Sequence, residues 1–224
     1  MTIQIEHTEL SEKVYQVLKK MILNREFVGG QKLDLNELSQ QMKISRTPLK
    51  DAVNRLVAEG LMEVKPRSGT FVTQIRSDDI KHIMEMRLMI ELWCVSSLGE
   101  QSVGMLAKQL RANIRRSGKL LAEADYSYEG FLEIDVEFHT AIVASAQNPK
   151  MMEVYKSLNS FLKISRVFYF KSYERSLLGQ EEHEQIVTCL EEGNLDLSKE
   201  ALKAHIESSR LVMVSLLEEN GGSI

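Results

Sequence analysis

The sequence contains few of the residues that mark secreted, membrane-spanning or disulfide-linked proteins. It has two cysteines among 224 residues, and they lie in separate helical patterns without CxxC spacing. This excludes a disulfide framework and indicates reduced, buried thiols in a cytoplasmic protein. No apolar run approaches the ~20 residues that a membrane span needs, and the first residues lack the basic and apolar regions of a signal peptide. We therefore expect a cytoplasmic chain without a membrane partner.

Proline and aromatic residues are also scarce. The chain has three prolines and 6% aromatic residues, whereas 43% of it is hydrophobic and 27% is charged. This balance is typical of globular proteins, and the low proline content favours helices. The length allows one large domain or two modest ones.

The net charge of −4 is distributed unevenly along the chain. Residues 1–75 contain 11 Lys/Arg and 9 Asp/Glu, whereas the remainder contains 17 and 23. Between residues 43 and 67 there are six basic and three acidic side chains. An acidic protein can bind nucleic acid through such a locally basic segment.

The first 75 residues show the pattern of three helices. Apolar residues repeat at helical spacing in Leu10–Leu23, and Asp34 with Glu37 is typical of a capping box that starts a second helix. A third helix is predicted at Arg46–Ala58, with Ser45 as its N-cap and one apolar stripe along its length. The polar side chains of this helix are left for solvent or for a partner.

Two short strands follow, predicted at Leu61–Lys65 and Thr70–Thr73. Gly69 lies in the turn between them and can take a positive φ. Helix, turn, helix and hairpin is the order of a winged helix-turn-helix domain, whose last helix can enter the major groove of DNA. Arginine can read a guanine edge, and lysine or arginine can neutralise phosphates. The predicted DNA contacts are Arg46, Thr47, Lys50, Arg55, Arg67 and Gly69. From the residues alone, a solvated basic face on an ordinary domain remains the alternative.

The segment SRTPLKDAVNRLVAEGLMEVKPRSGTFV resembles the DNA-binding domain of GntR-family bacterial transcription regulators. The resemblance covers about residues 10–75 and implies binding to double-stranded operator DNA. Two positions depart from the family pattern: Lys50 replaces a usual arginine, and Asn36 replaces a basic residue of some members. Because arginine and lysine read DNA differently, the operator sequence stays open.

After residue 75 the pattern is helical throughout. Helices are predicted at about 77–98, 102–123, 128–146, 150–170, 179–192 and 195–218. We expect a mainly α protein, with a winged helix-turn-helix domain in residues 1–75 and an antiparallel all-α helical bundle in residues 76–224.

Four polar residues lie on apolar faces of these helices. Asp135 and His139 are one turn apart on one helix, and His183 and His205 lie on the inward sides of two others. Burying these groups without partners is costly. A divalent metal removes that cost, because imidazole and carboxylate are its normal ligands. Hydrogen-bonded histidines remain an equal alternative at this point.

The same region resembles the FCD effector domain of the FadR subfamily of GntR regulators. The matching residues are Arg87, Glu91, Asp135, Phe138, His139, Asn148, Glu182, His183 and His205. In that family an aspartate and three histidines hold a metal, which implies Asp135, His139, His183 and His205 as ligands here. Zn²⁺ is the first expectation, with Ni²⁺ or Mn²⁺ as alternatives. The family also implies that Arg87 contacts an effector, although Arg87 could instead pair with Glu91 four residues later.

Together these features predict a ligand-responsive transcription repressor rather than an enzyme. A palindromic operator requires two reading heads, so we expect a homodimer. A small organic acid, such as a sugar or hydroxy acid, is expected to bind the metal and Arg87 and so to change DNA affinity. Two alternatives stay open: a metal-dependent hydrolase that activates water, and a regulator whose signal is the metal itself.

Overall fold

The computed structural model of the protein describes residues 5–24, 26–158, 172–219 and 223. The chain divides into two compact units, Met1–Arg76 with Asn220–Ile224, and Ser77–Glu219. They are called the N-terminal unit and the helical unit below. Across the described residues, no helix is both long enough and apolar enough to cross a membrane.

The N-terminal unit consists of three helices and a three-stranded antiparallel sheet. Its elements are α1 (Ile5–Leu23), β1 (Lys32–Leu33), α2 (Leu35–Gln41), α3 (Arg46–Ala58), β2 (Met62–Lys65) and β3 (Gly69–Val72). β3 lies between β1 and β2, and it pairs with β2 from Met62 opposite Val72 to Lys65 opposite Gly69. The predicted winged helix-turn-helix fold is confirmed. The sequence pattern does not predict β1, because a two-residue strand depends on its partner more than on its own residues.

Local signals and one apolar stripe place α2 and α3. Asp34 Oδ1 accepts a hydrogen bond from the backbone N–H of Asn36 at 2.8 Å, which satisfies a donor at the start of α2. Ser45 precedes α3 in an extended conformation, but its side chain makes no capping bond. Leu49 and Leu56 are buried where α3 packs on α1. The opposite face of α3 therefore remains exposed.

The helical unit contains helices and no strand within its described residues. Its helices are α4 (Ser77–Ser96), α5 (Glu100–Leu121), α6 (Tyr128–Ala144), α7 (described over residues 149–158), α8 (Tyr173–Glu191) and α9 (Leu195–Glu219). α4 packs against α9, α5 packs against α6 and α8, and α8 packs against α9. The predicted all-α architecture is confirmed, although part of the helix predicted at 150–170 lies outside the described residues.

α8 begins earlier than the sequence pattern indicates, at Tyr173 rather than at about residue 179. The side chain of Ser172 caps it by accepting a hydrogen bond from the backbone N–H of Arg175 at 3.2 Å. Gly179, where the pattern starts the helix, is buried inside α8. A helical glycine costs about 1 kcal/mol relative to alanine, so packing against α5 and α9 must outweigh that preference. The early start places Arg175 and Ser176 within the bundle.

Candidate metal centre and nucleic-acid interface

Three helices bring together, inside the helical unit, four side chains of types that can ligate a metal. Asp135 and His139 lie one turn apart on α6, His183 lies on α8, and His205 lies on α9. The three histidines are 1–2% exposed. One ligand atom from each of the four residues lies within 4.8 Å of the others. The structure thus joins the four residues that the sequence analysis grouped.

The Nε2 atoms of the three histidines converge on one point. They lie 3.2 Å apart between His139 and His183, 3.3 Å between His183 and His205, and 3.1 Å between His139 and His205. Asp135 Oδ1 lies 3.6 Å from His183 Nε2 and 3.8 Å from His139 Nε2. Such convergence of nitrogen and oxygen atoms is what the ligands of a shared cation require.

Carboxylates lie behind two of the imidazole rings. His139 Nδ1 is 2.7 Å from Glu91 Oε2, and His205 Nδ1 is 2.7 Å from Glu182 Oε2. Burial by itself raises the pKa of each carboxyl, but hydrogen bonds and charges from the histidine and a neighbouring arginine lower it, for Glu91 to about 2. Both side chains are therefore ionised at neutral pH and can only accept hydrogen bonds.

These carboxylates determine which ring nitrogens carry protons. Because Glu91 and Glu182 only accept, Nδ1–H of His139 and of His205 must donate. In the neutral form that binds a metal, the Nε2 atom of each ring then carries a lone pair that faces the centre. His183 Nε2 can donate to only one of those two lone pairs. The histidines alone therefore cannot supply a donor to both lone pairs, whereas a bound cation would satisfy all three nitrogens. The residues present therefore fit a metal ion, with carboxylates orienting two of its ligands.

Glu91 connects the centre to Arg87. Glu91 is 0% exposed, and it accepts hydrogen bonds from Arg87 Nε at 2.6 Å and from the Tyr155 hydroxyl at 2.6 Å. Arg87 is 1% exposed, so this is a buried ion pair rather than a surface contact between neighbouring helical turns. The sequence allowed Arg87 either to contact an effector or to pair with Glu91, and the structure shows the pair with Glu91.

The surroundings keep His139 and His183 neutral. Burial, followed by the charge of Arg87, lowers the pKa of His139 to about 4. Burial and the neighbouring His205 and His139 lower the pKa of His183 well below its usual range. Neutral imidazole is the form that binds a metal ion. The ring of Phe138 stacks on His183 with centroids 3.9 Å apart and restricts its orientation.

Two arginines of the helical unit have buried N–H groups without a hydrogen-bond partner in the described part of the chain. They are Arg87 at Nη2 and Arg175 at Nη1. Arg175 lines a cleft that also includes Asp135. Sequence reasoning does not find Arg175, because the helical pattern starts α8 after it. It also assigns no role to Glu182, since a contact from α8 to His205 on α9 leaves no spacing signal.

The N-terminal unit exposes most of the side chains predicted to contact DNA. Arg46, Thr47 and Lys50 are exposed in the first turns of α3. Arg67 is exposed in the turn between β2 and β3, with a φ of 62°, and Gly69 has a φ of 126°. The positive φ predicted for Gly69 is confirmed. Three cationic side chains thus lie at the helix end and at the hairpin tip.

Arg55 has a different environment from the other predicted DNA contacts. Its Nη1 donates to Glu12 Oε2 at 2.5 Å, and its guanidinium lies 3.9 Å from the ring centroid of Tyr15. The Tyr15 hydroxyl donates to Glu59 Oε1 at 2.5 Å. Arg55 therefore connects α3 to α1, and it would have to leave Glu12 to reach a phosphate.

The sequence matches two protein-family models. Residues 10–72 match the gntR family of bacterial regulatory proteins, and residues 82–208 match the FCD domain. The Nta operon transcriptional regulator of Aminobacter aminovorans is 27% identical over 191 residues, which cover 84% of this chain and 86% of that protein. These families and relatives are transcriptional regulators, not enzymes.

Solved structures share the fold. A structure of Lar, which controls expression of the Listeria monocytogenes agr system, has a TM-score of 0.72 and 20% identity over 92% of this chain and 97% of that chain. The Zn²⁺-bound FCD domain of TM0439 has a TM-score of 0.53 and 17% identity over 64% of this chain and 96% of that chain. The FCD model spans more than half of the chain and follows the gntR match along the sequence. This chain therefore belongs to the GntR family of bacterial transcriptional regulators, with an FCD domain after its winged helix-turn-helix domain.

Proposed function

We propose that this protein is a DNA-binding repressor whose helical unit holds a divalent metal ion and responds to a small organic acid. Asp135, His139, His183 and His205 are the proposed ligands. The observation that carries the proposal is the convergence of three buried Nε2 atoms, two of them on rings whose Nδ1 atoms face carboxylates. When bound, a divalent cation would supply positive charge and further coordination positions for an oxygen ligand.

Zn²⁺ is the first candidate for the metal. Three imidazoles and one carboxylate suit it, and a Zn²⁺-bound structure exists for the FCD domain of TM0439. Ni²⁺ and Mn²⁺ accept the same donor types and are the alternatives. Geometry, ligand type and metal supply select among these ions more than raw affinity does, so metal analysis of the purified protein decides the identity.

The proposed effector is a small carboxylic acid, such as a sugar acid or a hydroxy acid. Arg87 has a spare buried N–H group at Nη2, which a ligand oxygen would satisfy. An acid regulates DNA binding only if it prefers one arrangement of the protein over another. Couplings of about 1–3 kcal/mol are common, and they change operator affinity by about 5- to 150-fold.

The proposed operator contacts lie on α3 and on the hairpin of the N-terminal unit. Arg46 would read a guanine edge, Thr47 would contact a thymine methyl or a phosphate, and Lys50 and Arg67 would neutralise phosphates. Gly69 would let the hairpin tip approach the DNA backbone. A homodimer would present two such surfaces to a palindromic operator in the cytoplasm. Repression follows if the bound dimer excludes RNA polymerase from the same DNA.

Metal analysis of three proteins tests the metal centre. We expect about one zinc ion per chain in the wild type, and its loss in His139→Ala, which removes one of the proposed ligands. His82→Ala is the matched control, because His82 is exposed on α4 and its variant should keep the metal. A wild-type protein that takes up no zinc, nickel or manganese would refute the site.

Operator selection tests the DNA-binding surface. A random duplex library is enriched on the purified protein, and the selected duplex is then used in gel shifts at about 150 mM salt, where non-specific binding is weak. We expect Arg46→Ala to lose specific binding, whereas Lys20→Ala, which removes an exposed charge from α1, keeps it. Repeating the shifts with and without zinc, in the absence of any acid, reveals whether the metal itself is the signal.

A further inference from the structure

A narrow cleft in the helical unit opens beside the metal centre. It lies among α6, α8 and α9, and it shares Asp135 with the proposed ligand set. Its cavity volume is about 50 Å³. One water needs about 10–15 Å³ by this measure, so the cleft accommodates a few waters or one end of a small organic molecule.

Arg175 contributes an unsatisfied donor to this cleft. Its Nη2 donates to Ser209 Oγ at 2.8 Å and to Glu182 Oε2 at 3.0 Å, whereas its buried Nη1 has no partner among the described residues. A Cβ added at Gly179 would lie 3.5 Å from that Nη1. The free N–H group therefore lies against Gly179, which also lines the cleft. A carboxylate oxygen is the strongest common acceptor for such a group.

The remaining walls define the chemistry of a suitable ligand. Phe131, Leu132 and Met213 form an apolar lining. Ser209 accepts a hydrogen bond from Arg175, and its own hydroxyl proton is donated to no residue that the structure describes. The cleft thus offers a cationic donor at Arg175, a hydroxyl donor at Ser209, and the metal-ligating Asp135.

We infer that Arg175 anchors one carboxylate of the effector in this cleft, while the other end of the acid faces the metal centre at Asp135. The inference rests on the proposed function and specifies the ligand class. It selects small acids with an oxygen-bearing group at each end, which are dicarboxylic or hydroxycarboxylic acids. A monocarboxylic acid of equal length satisfies only one of the two ends.

Arg175 is also linked to the metal centre through Glu182, because Arg175 pairs with Glu182 and Glu182 contacts His205. Replacing Arg175 alone therefore mixes two effects. Gly179→Ala separates them, since it leaves Arg175 in place and adds a methyl group 3.5 Å from Nη1 and 3.9 Å from Phe131 Cζ. These are ordinary contact distances at a helical position, so we expect the variant to fold and to bind zinc. The methyl group fills the space that a carboxylate would occupy.

Calorimetric titration of the zinc-loaded full chain tests the inference. The probes are malonate, succinate and L-malate, with propionate as the monocarboxylic control. We expect at least one of the three diacids to bind, with propionate weaker by about tenfold or more. Arg175→Met and Gly179→Ala should each weaken diacid binding by about tenfold or more, while zinc content in Gly179→Ala matches the wild type. Gly104→Ala is the matched control, because its Cβ would meet no atom within 4 Å on α5.

Two results would overturn the role of Arg175. One is equal diacid affinity in the wild type, Arg175→Met and Gly179→Ala, which would place the acid at the metal without a contact to Arg175 and leave the proposed function standing. The other is the absence of binding by any diacid to wild-type protein whose zinc content is confirmed. If Arg175→Met loses zinc, the diacid affinities of Gly179→Ala and Gly104→Ala are compared instead, and equal affinities would overturn the role of Arg175. A wild-type chain that binds no metal contradicts the proposed function itself, and metal analysis detects that outcome separately.

Discussion

Replacing Glu91 with glutamine removes one negative charge from the interior of the helical unit with little change in side-chain size. The native carboxylate accepts hydrogen bonds from Arg87 Nε at 2.6 Å, from the Tyr155 hydroxyl at 2.6 Å and from His139 Nδ1 at 2.7 Å. Arg87 is 1% exposed, so the variant leaves a buried cation without its counter-ion. Glutamine has a single amide oxygen. If that oxygen keeps the contacts with Arg87 and Tyr155, an NH2 group faces His139 Nδ1 and no longer sets the tautomer of that ring.

The expected magnitude follows from the burial of this pair. Removing one partner of a buried ion pair costs about 3–5 kcal/mol, whereas an exposed pair is worth about 0–1 kcal/mol. For a protein of this size, 1 kcal/mol corresponds to about 2–4 °C in Tm. Glu91→Gln should therefore lower the Tm of the helical unit by about 6–20 °C. Loss of the hydrogen bond to His139 should also lower metal affinity about 10- to 100-fold.

Thermal unfolding of chelator-treated protein measures the first effect without a contribution from bound metal. Zinc titration against a competing chelator measures the second. Glu137→Gln is the matched control, because Glu137 is 52% exposed on α6 and pairs with Arg116 at 2.6 Å. Its Tm should change by less than about 4 °C. Adding Arg87→Met to Glu91→Gln removes the unpaired cation and should restore part of the lost stability. Equal melting temperatures for Glu91→Gln and Glu137→Gln would refute the buried pair.

Three further predictions concern other parts of the chain. Cys94 is 0% exposed, and burial raises the pKa of its thiol to about 11, whereas Cys189 is half-buried. A thiol reagent at pH 8 should therefore modify the folded protein at Cys189 only. A fast reaction that persists in Cys189→Ser would contradict this prediction. Gly69→Ala forces a φ of 126° on alanine and brings its Cβ to 2.9 Å from Lys32 Cε. Denaturant unfolding should therefore show the N-terminal unit destabilised by about 1–3 kcal/mol. Gly104→Ala is the reference, and it should be neutral or stabilising. Lys50→Ala and Arg67→Ala should each reduce the slope of log operator affinity against log salt by about one. Arg55→Ala should leave this slope unchanged. A smaller slope for Arg55→Ala would show that Arg55 breaks its contact with Glu12 when the protein binds DNA.

Several features of this protein are decided by residues close together in the chain. α3 was expected at Arg46–Ala58 and has those bounds, because its apolar stripe and flanking residues are local signals. Gly69 takes the positive φ that its turn requires. Asp135 and His139 share one face of α6 because they are four residues apart. Periodicity alone also identifies an all-α second domain.

The tertiary structure decides how residues far apart in the chain meet. Spacing cannot show that the Nε2 atoms of His139, His183 and His205 lie 3.1–3.3 Å apart, since they belong to three helices. It cannot show that Glu182 orients His205 from a neighbouring helix. It also leaves open whether Arg87 and Glu91 form an exposed pair or a buried one.

The sequence by itself thus determined the class of the protein, the bounds of α3 and the identity of the candidate ligands, because periodicity and motif residues act over a few positions. The tertiary structure decided the environment of those ligands. It buried Glu91, brought three Nε2 atoms together, and started α8 early enough to place Arg175 beside the cleft. Burial and convergence depend on how helices pack, and packing sums contacts that no single stretch of sequence contains.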